Sequence, residues 1–508
     1  MSTTKHQVTS IVIVGGGTSG WMTAAALSHH LKRHDLAITL IDSSEIGTIG
    51  VGEATIPTLR RFYQQLGFSD QDVMQATNAT CKLGIEFKDW YQLNSSFIHP
   101  FGLFGQNVNN VPFHHYWLKL RQQGDKTPLS HYSLGVQLAQ HDKFFPPFAK
   151  PKNQLQIFDW ALHFDAALFA NLMREFSLKN QVRHIDRKIT DIQCSTLNGN
   201  ISSLILEDGN EIEADLFIDC SGFNALLIDK TLKCGYQDWS QWLLCDRAVA
   251  VQSESIGEPA PRTIVKAHEA GWQWTIPLQH RQGNGHVYSS RFTTDEAATQ
   301  RLLDNVDGKL LTPTRTFRFT PGRRDQAWLK NCIAVGLSSG FLEPLESTSI
   351  ALVETAIDKI VQSLAQPFYN EAKVNRFNEV TRLEYERVRD FIILHYKATA
   401  REDSAMWRYC SAMDIPPSLQ EKINKFKHNG ELVRYPWEIF GPDSWLAIYD
   451  GFGLRAQRYL TSVDNVPSEQ VLHGLKQMKS EITHYRKNAP THSQFLSQHF
   501  GFEPRMTE

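Results

Sequence analysis

The sequence predicts an α/β fold, with a dinucleotide-binding core, a second and largely antiparallel sheet, and a mainly helical C-terminal lobe. Three observations carry this reading. A strand, a glycine turn and a helix open the chain, alternating segments run from about 187 to 320, and helical periodicity dominates from about 350.

The opening unit reads SIVIV at 10–14, GGGTSG at 15–20, a helix from Trp21, and a second strand AITLID at 37–42. In Gly15-x-Gly17-x-x-Gly20 the glycines allow a tight turn and close backbone approach, while Thr18 and Ser19 start a helix whose N-terminus favours a pyrophosphate. Asp42 lies 22 residues beyond Gly20, at the end of the second strand, where it can accept from a ribose hydroxyl. This βαβ unit begins almost at residue one, as is typical of FAD enzymes with the cofactor laid across the sheet. Gly52, Glu53 and Ala54 follow a loop, Ile46 to Gly50, whose glycine density suggests backbone close to a flat ligand; Thr55-Ile56-Pro57 suits the start of a helix.

From Phe158 to about Ser177 the pattern predicts one helix, with Phe164, Leu168, Leu172 and Phe176 on its apolar stripe. Three strand-like segments come next. RKITDIQCS and ISSLILEDGNEIEA alternate, with Asp208-Gly209-Asn210 as a hairpin turn, and DLFIDCSG brings the chain back to the cofactor sheet. Residues 234–320 form the second sheet, and CIAVGLSSG, with Gly336, returns again to the cofactor. The expected organisation is 1–365 as the FAD-binding domain with that sheet inserted, and 366–508 as a helical lobe capping the substrate.

Composition narrows the function. Hydrophobic residues are 41% and charged residues 21% of 508, and no apolar run reaches the roughly 20 residues that cross a bilayer. Lys plus Arg number 52 against 54 Asp plus Glu, without a long basic block, which argues against nucleic acid as a partner. The polar N-terminus lacks a signal peptide's apolar core, so the expected location is cytoplasmic. Seven scattered cysteines without a CxxC pair argue against a disulfide framework and a zinc site, so no metal is expected.

Gly271-Trp272-Gln273-Trp274-Thr275-Ile276-Pro277 is the most distinctive stretch. On a strand, positions two apart share a face, so Trp272 and Trp274 would stand as one aromatic wall, suited equally to a core or to the lining of a tunnel.

Nine motifs now stand in order: GGGTSGWMTAAAL, VGEATIPTL, NATCKLGIEFKDW, HPFG, FHHYWL, LFIDCSGF, GWQWTIPL, GFLEPLESTSI and REDSAMW. In this order the chain resembles the flavin-dependent halogenases of the tryptophan halogenase type over nearly its whole length. The resemblance implies a flavin monooxygenase-like FAD-binding fold and the use of reduced FAD, O2 and halide, chloride or bromide, to halogenate an electron-rich aromatic ring. In that family hypohalous acid travels down a tunnel to the substrate. Trp272, Trp274, Ile276 and Pro277 match the family's WxWxIP motif and would wall the flavin off from the substrate.

The same resemblance assigns further roles. Lys82 matches the essential lysine, which polarises hypohalous acid by hydrogen bonding or forms a haloamine after losing its proton. Glu346 matches the carboxylate that orients the oxidant and accepts the ring proton, with Glu343 the weaker candidate. Thr348 and Ser349, at the start of a helix, suit the halide, and an N-cap role explains them equally well. His99 and Phe101 match residues that flank the substrate ring, and Phe440 matches a sandwiching tryptophan. The segment before Phe440 departs from the family: the tyrosine pair and glutamate that hold free tryptophan fall near His428, Asn429 and Tyr435. A zwitterion without partners loses several kcal/mol, unless Glu431 or Glu438 substitutes, so indole or a substituted indole is the expected substrate.

A halogenase of free tryptophan, an aromatic flavin monooxygenase and a flavin-binding protein without chemistry are the alternatives. With a single GxGxxG, given to FAD, the FADH2 is expected from a separate flavin reductase; a homodimer is the commonest default assembly.

Overall fold

The protein is described by a computed structural model covering residues 6–32, 35–45 and 52–502. Strand Ser10–Val14 is the centre of a six-stranded sheet. Ala37–Asp42 and then Arg183–Asp186 lie on one side of it, Leu216–Asp219, Cys332–Ala334 and Trp328–Leu329 on the other. All pairings are parallel except the last. This is why both DLFIDCSG and CIAVGLSSG return to the opening unit, as their sequences predict.

Helix Thr18–His30 starts three residues before Trp21, and its N-cap, Gly17, contributes no side-chain hydrogen bond. Its N-terminal amides therefore remain available. The helix packs on helix Ala166–Lys179 and on helix Ser349–Leu364, which in turn touches the long helix Glu371–Lys397.

The second sheet has seven strands, in the order Arg315–Arg318, Arg247–Ser253, Gln282–Tyr288, Gly271–Pro277, Thr263–His268, Gly84–Lys88 and Ser96–Pro100. It is antiparallel except where Thr263–His268 meets Gly84–Lys88. The expectation of one sheet from residues 234–320 thus missed two strands from the first hundred residues. Those two strands carry the chain directly after Lys82 and up to His99.

The helix expected from Phe158 is a strand followed by a helix. Ala161–Asp165 lies between Gly52–Ala54 and Thr80–Lys82 in a three-stranded sheet, and Asp165 Oδ1 then accepts from the amides of Ala167 and Leu168 to cap helix Ala166–Lys179. The buried stripe is Phe169, Met173 and Ser177, one position on from Leu168 and Leu172, and Leu168 is exposed. The Asp208-Gly209-Asn210 turn forms as predicted, with Gly209 at φ +81°.

From Ser349 to Phe500 the chain is mainly helical. Helix Ser468–Asn488 also packs on two helices from the first third of the sequence, Phe113–Gln122 and Leu134–Gln140. Among the described residues no helix is long and apolar enough to cross a membrane. All seven cysteines are free thiols, and all but Cys194 are buried.

Candidate active site

The glycine turn fits a bound dinucleotide. Gly15 has φ +114° and a Cβ there would fall 2.3 Å from the Cys220 carbonyl, while a Cβ at Gly20 would fall 1.8 Å from the Gly15 carbonyl. At Gly17 a Cβ would meet nothing within 4 Å. Crowding therefore fixes the turn's shape, and open space remains beside the uncapped helix end, which is the cradle a pyrophosphate needs. Gly336, φ +72°, brings its backbone against Ser19. Asp42 lies against Gly16, as expected at the strand end, and its Oδ1 also faces His184 Nε2 at 2.7 Å. Gly52–Ala54 pairs with Asp165, Phe164 and His163; Ile46 to Val51 lie outside the described residues.

Lys82 ends a three-residue strand and is fully buried. Its Nζ donates to the Thr55 carbonyl at 2.8 Å and to Ser347 Oγ at 2.9 Å, and it lies 5.2 Å from the centre of the Phe101 ring. Burial pushes the amine down to about 7, against the pull of the Glu346 charge. The strand is anchored from the tryptophan motif: Thr80 Oγ1 donates to the Pro277 carbonyl at 2.6 Å and also meets His163 Nδ1 at 3.1 Å. Because the Thr80 proton is already given to Pro277, His163 donates from Nδ1, and its Nε2 accepts from Thr263 Oγ1 at 2.9 Å.

Glu346 closes a 3₁₀ turn, Pro344–Glu346, and is also buried. Its Oε2 is 2.9 Å from His99 Nδ1 and its Oε1 is 2.8 Å from His395 Nε2. Burial alone would raise this carboxyl, but the two histidines overcome it and hold the group at about 2. Ser347 follows in the left-handed region at φ +58° and delivers the hydroxyl that Lys82 reaches. Glu343 stays outside this cluster. It is buried, accepts from the Tyr396 hydroxyl at 2.6 Å, and is pushed by burial up to about 7.

His99, expected to flank the substrate ring, is bonded to Glu346 as well, and its buried Nε2 has no partner. The Phe440 ring lies 5.9 Å from His99 and stacks on Phe391 at 4.0 Å. His395 and Phe391 were not expected. Both sit on helix Glu371–Lys397, 49 and 45 residues after Glu346, and nothing local in an amphipathic helix marks them.

Thr348 caps helix Ser349–Leu364 without a side-chain hydrogen bond, and its buried hydroxyl has no partner. The N-cap explanation therefore does not apply in this state, and an orphaned hydroxyl faces the positive end of a helix dipole. Trp272 and Trp274 share a face with ring centres 6.1 Å apart. Trp272 also packs on Trp90 at 6.2 Å, within an aromatic cluster that includes Tyr396 and Trp407. Trp274 fills the space left by Gly285 on the next strand, where a Cβ would fall 2.0 Å from the indole.

The tryptophan halogenase family model matches residues 10–468. The chain belongs to that family. It is 33% identical to the tryptophan 6-halogenase SttH of Streptomyces toxytricini over 489 residues, 91% of this chain and 93% of that one. It is 34% identical to the tryptophan 7-halogenase RebH of Lentzea aerocolonigenes, over 83% of this chain and 82% of the other. Among solved structures, the flavin-dependent halogenase BrvH from Brevundimonas sp. BAL3 superposes with a TM-score of 0.94 at 50% identity, covering 97% of this chain and 99% of that one. A flavin-dependent halogenase from Xanthomonas campestris gives 0.93 at 40% identity, covering 99% and 100%. The protein is thus an enzyme of the flavin-dependent halogenase class, with its mixed α/β fold.

Proposed function

We propose that the enzyme halogenates an electron-rich aromatic ring, indole or a substituted indole, with halide, O2 and reduced FAD received from a separate flavin reductase. The observation that carries this is the buried meeting of Lys82 with Ser347, one residue from Glu346, with Phe101 and His99 alongside. Gly15, Gly17, Gly20, Asp42 and Gly336 would hold reduced FAD, which with O2 would supply the oxidising equivalent that turns halide into hypohalous acid. Thr348 and Ser349 hold the halide at the helix end.

Lys82 spends two N–H directions on Thr55 and Ser347. A third position on Nζ remains to meet the oxidant, as an ammonium donor or as an amine lone pair. Glu346 holds the oxidant's proton side and receives the ring proton, aided by the low dielectric of the site. Trp272 and Trp274, with Ile276 and Pro277, close the flavin off, so that only a small oxidant passes and direct oxygen transfer to the substrate is prevented.

The substrate preference rests on residues 421–438. Glu438 is not free to hold an amino group, since Lys422 Nζ lies 2.7 Å away and both side chains are buried. Tyr435 donates to Glu421 at 2.6 Å, and Asn429 accepts from the Glu431 amide. Glu431 is half exposed, 3.8 Å from Lys425. A zwitterion entering here would have to compete with Lys422 for Glu438 and with Tyr435 for Glu421, so part of its desolvation would go uncompensated.

The test is product mass. The protein is incubated with FAD, a reductase, NADH and bromide or chloride over indole, tryptophan and phenols; monohalogenated indole with the halogen's isotope pattern is expected, and hydroxylated products would overturn the reading.

A further inference from the structure

We infer that His395 is a positioning residue, held doubly protonated between the Phe391 carbonyl and the Glu346 carboxylate, which keeps that carboxylate ionised and turned toward His99. The inference rests on the reading of Glu346 as the working carboxylate.

The argument starts from the donor count. A neutral imidazole has one N–H and one bare nitrogen. His395 Nδ1 lies 2.8 Å from the Phe391 carbonyl, which only accepts, and its Nε2 lies 2.8 Å from Glu346 Oε1. A single ring proton satisfies one of these contacts and sets lone pair against lone pair at the other. Both side chains are buried, at 0% and 1% exposure, so no water relieves that conflict.

Two arrangements resolve it: an imidazolium against a carboxylate, or a protonated Glu346 donating to a neutral ring. The surroundings favour the first. Glu346 also receives His99 Nδ1 on Oε2, and Lys82 adds a positive charge through space. Around His395 the other ring contacts are aromatic, from Phe87, Trp90, Phe391 and Phe452. The titratable groups facing the pair are therefore His99 from strand Ser96–Pro100 and Lys82 from strand Thr80–Lys82.

The helix end works as a clamp. His395 holds Glu346, and the next residue, Tyr396, holds Glu343 by its hydroxyl. Two successive helix residues thus fix the two acids that bracket the Pro344–Glu346 turn, immediately before the Ser347 that Lys82 reaches. Without His395 the carboxyl keeps only His99 Nδ1, which lies 3.1 Å from Oε1 and 2.9 Å from Oε2, so it ionises less readily and is held by one ring where two had fixed it.

Two experiments test this. In the first, kcat and its pH profile are measured for His395→Leu and His395→Gln, the latter keeping an amide donor within reach of Glu346. The expected result for His395→Leu is at least a tenfold fall in kcat with KM little changed, and an acid limb moved to higher pH; His395→Gln recovers most of the rate. An acid limb unmoved in His395→Leu, or two variants equally impaired, overturns the proposal. In the second, ring 15N shifts are read in histidine-labelled wild-type enzyme at pH 8, with His395 assigned from the Gln variant. Both nitrogens are expected to be protonated, one of them losing its proton in Glu346→Gln. A neutral His395 in the wild type overturns the proposal whatever the kinetics. If Glu346→Gln instead halogenates at the wild-type rate, the functional reading falls while the ring protonation still stands or fails by itself.

Discussion

Lys82 Nζ donates to Ser347 Oγ at 2.9 Å, and so a lysine from the first hundred residues is tied to the residue that follows Glu346. The tie puts an amine and a carboxylate within electrostatic reach of each other in a buried site, at about 7 and about 2 respectively. The lysine ionises within reach of ordinary buffers, and that makes its role open to test.

The first prediction concerns the alkaline side. Lys82 loses its proton as pH rises through about 7, and Glu346 opposes that loss. If the ammonium is the working form, kcat falls as pH passes 7; in Glu346→Gln the fall begins at lower pH, because the opposing charge is gone. A rate that rises through this range assigns the neutral amine instead, and the haloamine route with it. Rapid-quench turnover from pH 6 to 9 separates the two.

The opening βαβ unit was legible because its signals are local: a strand, crowded glycines and an acid at the strand end lie within 33 residues, from Ser10 to Asp42. The resemblance pointed to Lys82 and Glu346, and in the fold Lys82 Nζ bonds to Ser347, the residue after Glu346. His395 and Phe391 were not legible, since their partners lie far along the chain and a histidine on an amphipathic helix has no distinguishing pattern. The strand Ala161–Asp165 was misread for a different reason. Its apolar residues Ala161, Leu162 and Phe164 run directly into those of the following helix, so periodicity cannot separate them; Asp165 as an N-cap was the one available sign.

A second prediction is about stability. Glu343 is held near 7 in the folded protein against its ordinary 4.5. Its folded value is the higher one, so its contribution is complete below about pH 4.5 and is lost as pH rises through 7. Glu343→Gln removes the ionisation, so its stability relative to wild type should improve from pH 5 to pH 8 by on the order of 3 kcal/mol at most. Urea unfolding at the two pH values measures this. A difference that stays constant would show that Glu343 is not buried as a neutral acid.

The buried Lys422 and Glu438 pair supports a third. Lys422→Leu leaves Glu438 without its cation in an apolar setting, which should cost about 3–5 kcal/mol. The double change Lys422→Leu with Glu438→Leu should recover most of that loss. Thermal unfolding of the wild type and the two variants is the measurement, and a single variant as stable as wild type would contradict the burial of the pair.

The substrate reading gives a fourth. At matched low concentration, kcat/KM for indole should exceed that for free tryptophan by at least tenfold, since an unpaired zwitterion forfeits several kcal/mol. Comparable values would show that the site carries partners for the amino acid.

The most direct test of the account is Lys82→Ala, assayed for halogenated indole and for free hypohalous acid with a trapping reagent, after a titration has shown flavin binding intact. The account predicts loss of at least a hundredfold in halogenated indole with the trapped oxidant still formed, because Lys82 acts on the oxidant after the flavin has made it. Halogenation of indole at an undiminished rate in Lys82→Ala would contradict it.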